Sequence, residues 1–518
     1  MSSPESGNQG DTAPTSNEGL PVSYGALISD PGPPYVYQWG NETGDGVNLT
    51  FSFPGATAAW ATVLTYSDSN EPETDAPLFE IEMEAARSAL LAWSSVANIS
   101  FTEVTETATD VGQIRFAWTQ ASNGSASAWA YFPDEYWASG SDVWLSLSAP
   151  NMVASRGVDS EWLAGGGAYQ TLLHEIGHAL GLVHPFDGLV TLPPQENTHQ
   201  YTLMAYETHP NSLFRQVIDN GGGNYSIEFA TILPDTPMLF DILAIQYLYD
   251  ANLGYHAEPD LYSFGPATPF IRTLWDAGGT DTISVSDFTL GCRIDLRPGT
   301  FSSLTILSDP LPPGYFSDTV PTYDGTNNLA IAFDCWIENA IGGSGHDIIT
   351  GNILDNGITG GLGVDTAIYA GATVGYLITR VGAGWTVTDT NLDDGNDGTD
   401  SLTGIEWLQF TDGLQRLGMT ASDHNGDGKS DILLHNTNAG MVATWQINGT
   451  TITGGGTPGS LGADWTIADG SSDYNGDGMG DVLLRHTSTG LVAEWLLNGS
   501  TISGAGTPGN LGAGWTIG

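Results

Sequence analysis

The sequence predicts a multidomain chain, with an α/β unit over residues 21–250 followed by two all-β regions, 251–420 and 421–518. Three observations predict it. Apolar residues recur at both helical and alternating steps within the first 250 residues, so helices and strands are interleaved there. The glycines concentrate after residue 276, where helical periodicity fades. From 421 onward the sequence repeats with a period of 50: Asp423 recurs as Asp473, Asp431 as Asp481, Trp445 as Trp495 and Trp465 as Trp515.

Residues 1–20 are polar, with no basic start and no apolar core. They read as a disordered lead or propeptide rather than a Sec-type signal. Phe79, Met83, Ala86, Leu90, Trp93 and Ala97 form one apolar stripe, which predicts a helix over 76–97. Strands are predicted at 99–104, 113–118, 125–132 and 143–147. A helix over 171–182 carries His174, Glu175 and His178 of the metal motif described below. Thr236 followed by Pro237 predicts the start of a last helix, running to about Tyr249.

Composition narrows the function. Lys+Arg total 11 against Asp+Glu 60, a net charge of −49, so nucleic acid and anionic membrane surfaces are repelled. Such a surface keeps an extracellular protein soluble, and it also suits hard cations such as calcium. No apolar run is long enough to span a bilayer. The two cysteines, Cys292 and Cys335, lie far from the histidines, so neither is a latency thiol; they form a disulfide or remain two buried thiols, with pairing the expectation.

The chemistry is concentrated in His174, Glu175, His178, Gly181 and His184. Residues four apart share a helix face, so His174 and His178 offer two imidazoles to one ion. Gly181 ends the helix in a left-handed turn and brings His184 back as a third ligand. Three protein nitrogens leave a fourth position for water, the pattern of a catalytic zinc site. Glu175 stands beside that position as general base. Chance histidines on an ordinary helix would match all five positions on the order of 10⁻⁵ times per chain.

This motif, followed by a methionine turn over Tyr201–Tyr206, resembles the metzincins. Pro185 directly after the third histidine narrows the resemblance to the serralysin family. The segments Ile242–Gln246, Trp275–Thr282 and Ile337–Gly345 extend it over 21–420. It implies a secreted zinc endopeptidase with one Zn²⁺ on His174, His178 and His184 and several structural Ca²⁺ ions. Met204 would floor the metal, and Tyr206 would ligate zinc at rest and stabilise the oxyanion in the reaction. Ala128, Trp129, Ala130 and Tyr131 resemble the strand that pairs with an extended substrate.

Three nonapeptides run from Gly342 to Ile368, and the first and third fit a calcium-binding parallel β-roll. Their expected ligands are Gly342, Ser344 and Asp347, then Gly361, Gly363 and Asp365; Asn356 replaces the acidic residue in the middle copy. Asp276, Gly278 and Asp281 resemble a further family calcium site. Asp423, Asn425, Asp427 and Asp431, with Asp473, Asn475, Asp477 and Asp481, space oxygen ligands as calcium loops. They resemble FG-GAP propeller blades, beginning after the turn at Asp412 and Gly413. The roll implies export by a type I secretion machinery. An adhesion or matrix protein with an inactive protease domain is the competing reading.

Overall fold

A computed structural model describes residues 22–28, 36–40, 42–55, 58–60, 66–67, 70–121, 123–134, 136–188, 190–314, 321–382, 384–393, 395–417, 421–426, 429–475, 478–512 and 514–517. The lead at 1–20, Asp427 and Asp477 lie outside them. The chain forms two compact units, the first ending at Gly345 and the second starting at His346, so the break falls inside the glycine-rich region.

The first unit is built on a mixed sheet. Its order is Ile99–Glu103, Val47–Ser52, Ile114–Thr119, Val143–Ser146 and Ala128–Ala130. All neighbours are parallel except the last pair, in which Ala128–Ala130 runs antiparallel to Val143–Ser146 as an edge strand. The long helix is Glu80–Val96, and its buried face is Glu82, Ala85, Ala86, Ala89, Leu90, Trp93 and Val96. The stripe therefore begins at Glu82, not Phe79, which is half exposed under the Arg156 guanidinium. Glu82 is buried because it has donors: the Phe79 N–H caps onto it at 2.8 Å, and the Trp118 indole reaches it at 2.8 Å. The long helix packs on Gly167–Ala179, where the Trp93 indole donates to the Leu173 carbonyl at 3.1 Å.

The last helix is Leu239–Tyr249, which starts later than the sequence suggests. Thr236 does not cap it. Its hydroxyl instead accepts the Thr273 N–H at 3.0 Å, while Asp241 accepts the Met238 N–H at 2.9 Å and caps the helix from within. Sequence reading also missed the hairpin Leu213–Asp219 with Tyr225–Thr231, whose side chains are largely solvated on both faces. Downstream, three-residue strands Leu261–Ser263, Thr282–Ser284 and Asn339–Ile341 lie parallel. Cys292 and Cys335 do not pair, contrary to expectation: both are free and buried. The Cys335 Sγ accepts the Asp276 N–H at 3.3 Å and the Cys292 thiol faces the Leu290 carbonyl at 3.8 Å, so each has a partner where it stands.

In the second unit, Ile348–Thr350, Thr366–Ile368 and Trp407–Phe410 pair in parallel, as do Gly357–Thr359 and Thr399–Thr403. The period-50 repeats form antiparallel sheets. The first has Ile432–Asn436, Met441–Asn448 and Thr451–Ser460; the second has Trp465–Asp469, Val482–His486, Leu491–Asn498 and Thr501–Asn510. Val442, Leu461, Val482, Leu484 and Leu497 are their shared core. No helix among the described residues is long and apolar enough to cross a membrane.

Candidate metal centre

The motif helix ends at Ala179, one turn short of the expected Leu182, because Gly181 takes φ +108° and reverses the chain. A Cβ there would run into the Tyr37 carbonyl oxygen, so the turn needs glycine twice over. The reversal returns His184 to the two helical histidines. One ligand nitrogen from each of His174, His178 and His184 lies within 4.8 Å of the others.

Each imidazole is oriented through Nδ1. His174 Nδ1 donates to the Leu203 carbonyl at 2.8 Å, His178 Nδ1 to the Leu182 carbonyl at 2.7 Å, and His184 Nδ1 to the Asp187 carboxylate at 2.7 Å. With the protons fixed on Nδ1, the Nε2 lone pairs converge; those of His178 and His184 are 3.1 Å apart. Two facing lone pairs repel unless a cation sits between them. Burial pushes the His174 imidazole down to about 4 and that of His178 well down, which keeps both neutral and ready to ligate. The donor set thus fits zinc.

Glu175 is buried, and burial pushes its carboxyl up to about 8, with the Ala130 N–H opposing the shift. Its Oε2 has no hydrogen-bond partner among the described residues. The Tyr206 hydroxyl reaches His184 Nε2 at 2.9 Å, and Tyr206 is 65% exposed. Burial, with Glu175 and Asp187 nearby, raises its phenol above the usual range. Met204 is wholly buried beneath the helix; a Cβ on Gly177 would sit 2.7 Å from its Sδ.

A cleft of about 370 Å³ opens onto the three histidines and Glu175, bordered by Ala128, Trp129 and Ala130 of the edge strand. Tyr131 turns away: its hydroxyl donates to Glu71 at 2.6 Å, and the Trp129 indole shares that carboxylate at 3.2 Å. Three contributors went unnoticed in the sequence. Asp187 orients His184, and Phe186 stacks on the same ring at 5.1 Å. Asp241 accepts the Thr202 hydroxyl at 2.6 Å and the Leu203 N–H at 2.7 Å, and so fixes the methionine turn. Asp187 alone left a signal, being one turn beyond a ligand.

Residues 59–202 match the family described as matrixin, and 254–402 match the peptidase M10 serralysin C-terminal family. Over these segments the chain is similar to the serralysin-type metzincins. Among similar proteins, a serralysin from Proteus mirabilis is 32% identical over 346 residues, covering 60% of this chain and 61% of the relative. Serralysin B of Dickeya chrysanthemi is 30% identical over 336 residues, covering 60% of each. The metalloprotease AprA of Pseudomonas entomophila is 30% identical over 300 residues, 54% of each. The chain spans about three fifths of the length of the serralysins it matches.

The expected calcium ligands are found as follows. Asp276 and Asp281 are buried. Asp276 accepts the Gly278 N–H at 2.8 Å and the Tyr262 hydroxyl at 2.6 Å, while Asp281 Oδ2 is buried without a partner among the described residues. His256 and Asp260, which sequence reading passed over, bring ligand atoms within 4.8 Å of Asp276. Ser344 is held by the Phe288 carbonyl at 2.8 Å, close to Gly342 in sequence. Asp347 and Asp365 are buried, the Asp347 N–H donating to Asp365 at 2.7 Å. Gly361 and Gly363 take φ +102° and +124°. Asn356 is instead turned onto Asn352, exchanging bonds of 2.7 and 3.0 Å. In the repeats, Asp423 accepts the Gly426 N–H at 2.7 Å and Asp473 the Asn475 and Gly478 amides, leaving Asn425 between the first loop's ends. Asp431 and Asp481 each take one backbone amide on each oxygen, from His424 and Ile447 and from Tyr474 and Leu497.

Proposed function

We propose that this chain is a secreted zinc-dependent endopeptidase that hydrolyses peptide bonds in extracellular proteins. The observation that carries the reading is the set of three Nδ1-anchored imidazoles whose Nε2 lone pairs converge beside a buried Glu175 whose Oε2 has no hydrogen-bond partner among the described residues. When bound, zinc supplies a more acidic water and a polarised substrate carbonyl. Glu175 accepts the proton of the attacking water and returns it to the leaving amine. Tyr206 leaves His184 and donates its hydroxyl to the oxygen on which charge develops. The edge strand Ala128–Ala130 pairs with the substrate main chain, which favours breadth of sequence over a single site. Relatives named serralysin support the same reading.

The remaining modules serve this activity. Residues 21–250 act as the catalytic domain and 251–420 as a calcium-loaded parallel β-roll, with Asp276, Asp281, Asp347 and Asp365 among the ligands. Three-residue parallel strands and the buried Oδ2 atoms of Asp281 and Asp365, without a partner among the described residues, support that role. Residues 421–518 are blade-like repeats with their own calcium loops, and export runs through a type I secretion machinery. The test is Glu175→Ala. The variant is expected to hold zinc at one ion per chain and to lose nearly all casein hydrolysis, while a chelator abolishes activity of the parent. A zinc-loaded Glu175→Ala variant with substantial activity would overturn the assignment.

A further inference from the structure

Glu71 is wholly buried, and two of the groups that satisfy it belong to the strand bordering the cleft. Its Oε1 accepts the Tyr131 hydroxyl at 2.6 Å and the Trp129 indole N–H at 3.2 Å, while its Oε2 accepts the Ser67 hydroxyl. The residue is fixed from its own side as well. Glu71 opens the short turn Glu71–Thr74, and its carbonyl accepts the Thr119 hydroxyl at 3.0 Å. The residues that follow, Asp75 and Ala76, pair with Thr119 and Trp118 of the central strand Ile114–Thr119. Burying a carboxylate is unfavourable unless hydrogen bonds satisfy it, so Glu71 and the two aromatic side chains hold one another in place.

Trp129 and Tyr131 are two residues apart and share one face of the strand, with Ala128 and Ala130 alternating between them. The backbone alternates too. The Ser127 carbonyl accepts the Ser146 N–H at 3.0 Å, the Tyr131 N–H donates to the Asp142 carbonyl at 3.1 Å, and Trp129 lies opposite Trp144. The peptide groups of these three residues therefore turn toward the neighbouring strand. Those of Ala128 and Ala130 turn outward at the border of the cleft, where the Ala130 N–H meets the Glu175 carboxylate. We propose that Glu71 is a positioning residue for the substrate. By clamping Trp129 and Tyr131 it fixes the tilt and height of the free edge at Ala128 and Ala130, and so sets how tightly an extended peptide main chain is held. The inference rests on the endopeptidase reading above. The clamp acts on the peptide and not on the metal, because the three histidines are oriented by Leu203, Leu182 and Asp187.

Two probes separate these roles. Acetohydroxamate reaches only the metal, whereas a hydroxamate carrying a tripeptide also lies along the strand. Titration calorimetry of the zinc-loaded full chain reads both without turnover. Glu71→Ala is expected to bind the peptidyl probe about tenfold more weakly and acetohydroxamate as the parent does. Glu71→Gln keeps an acceptor oxygen for Trp129 and Tyr131 and should recover most of the loss. In peptide hydrolysis the loss should appear in KM, with kcat little changed. Where Glu71→Ala does not fold, Tyr131→Phe carries the test: it removes one bond of the clamp, keeps the ring, and should weaken the peptidyl probe about threefold. Folded variants that bind the peptidyl probe as the parent does, or that lose both probes alike, overturn the proposal. So does a parent that binds the peptidyl probe no more tightly than acetohydroxamate. A parent that grips the peptidyl probe yet cleaves no peptide overturns the endopeptidase reading alone, because the ratio between the probes still reads the clamp.

Discussion

Asp241 offers the sharpest test of how the metal centre is held. Its carboxylate is wholly buried and accepts the Thr202 hydroxyl, the Leu203 N–H and the Met238 N–H at 2.6, 2.7 and 2.9 Å. Asp241→Ala strips all three of their acceptor. A buried donor left without a partner costs about 1–3 kcal/mol, so the sum is about 3–9 kcal/mol before relaxation. At the low end, with roughly 2 °C per kcal/mol for a large domain, the melting temperature falls by about 6 °C. The damage also reaches the metal, because the Leu203 carbonyl orients His174. Loss of such a supporting contact typically weakens metal affinity by about 10–100-fold. Asp241→Asn keeps one oxygen and should fall between parent and alanine. Calorimetry of the zinc-loaded chain and a competitive zinc titration read both effects. A variant that melts and binds zinc as the parent does would refute the claim that Asp241 organises the methionine turn.

Three further outcomes follow from the geometry. Tyr206→Phe should lower kcat by about 10²-fold or more while changing KM little, since the hydroxyl acts on developing charge; steady-state kinetics with an effect confined to KM would make Tyr206 a cleft wall. Gly181→Ala should abolish tight zinc binding, because the φ of +108° and the Tyr37 carbonyl both exclude a Cβ and His184 cannot return; equilibrium dialysis showing parental affinity would contradict this. In calcium-free buffer the Asp365 carboxyl is pushed up to about 6, by burial first and then by Asp347 and Glu406, with the Asp347 N–H opposing. A raised folded value means stability is fullest below the unfolded value of about 3.9 and is lost as pH rises through about 6. Melting curves of the calcium-free chain should show that decline, and added calcium should remove it.

The sequence spelled out the metal centre because its spacing is local. His174 and His178 share a helix face by covalent geometry, and Gly181 signals the turn that returns His184. What supports them was not legible, because Asp241 meets Leu203 only after tertiary packing. Thr236 misled for the same reason: a good capping residue found a better partner in Thr273, 37 residues along the chain. The apolar stripe of the long helix was misread at its start, where Glu82 rather than Phe79 is inside, since Trp118 supplies the donor that burial of a carboxylate requires. The hairpin at 213–231 has solvated faces and hence no clear burial alternation to read.

The three ligand histidines are not held alike. Two lean on peptide carbonyls, rigid and indifferent to ionic strength. The third leans on Asp187, whose side chain is 57% exposed. Contacts with exposed charges are screened by salt, whereas contacts inside the protein are not. His184 is also the one ligand beyond the helix, on the far side of Gly181. With zinc bound, metal exchange would then have a preferred order: the outer arm would loosen first and close last, while His174 and His178 would remain as a two-point seat.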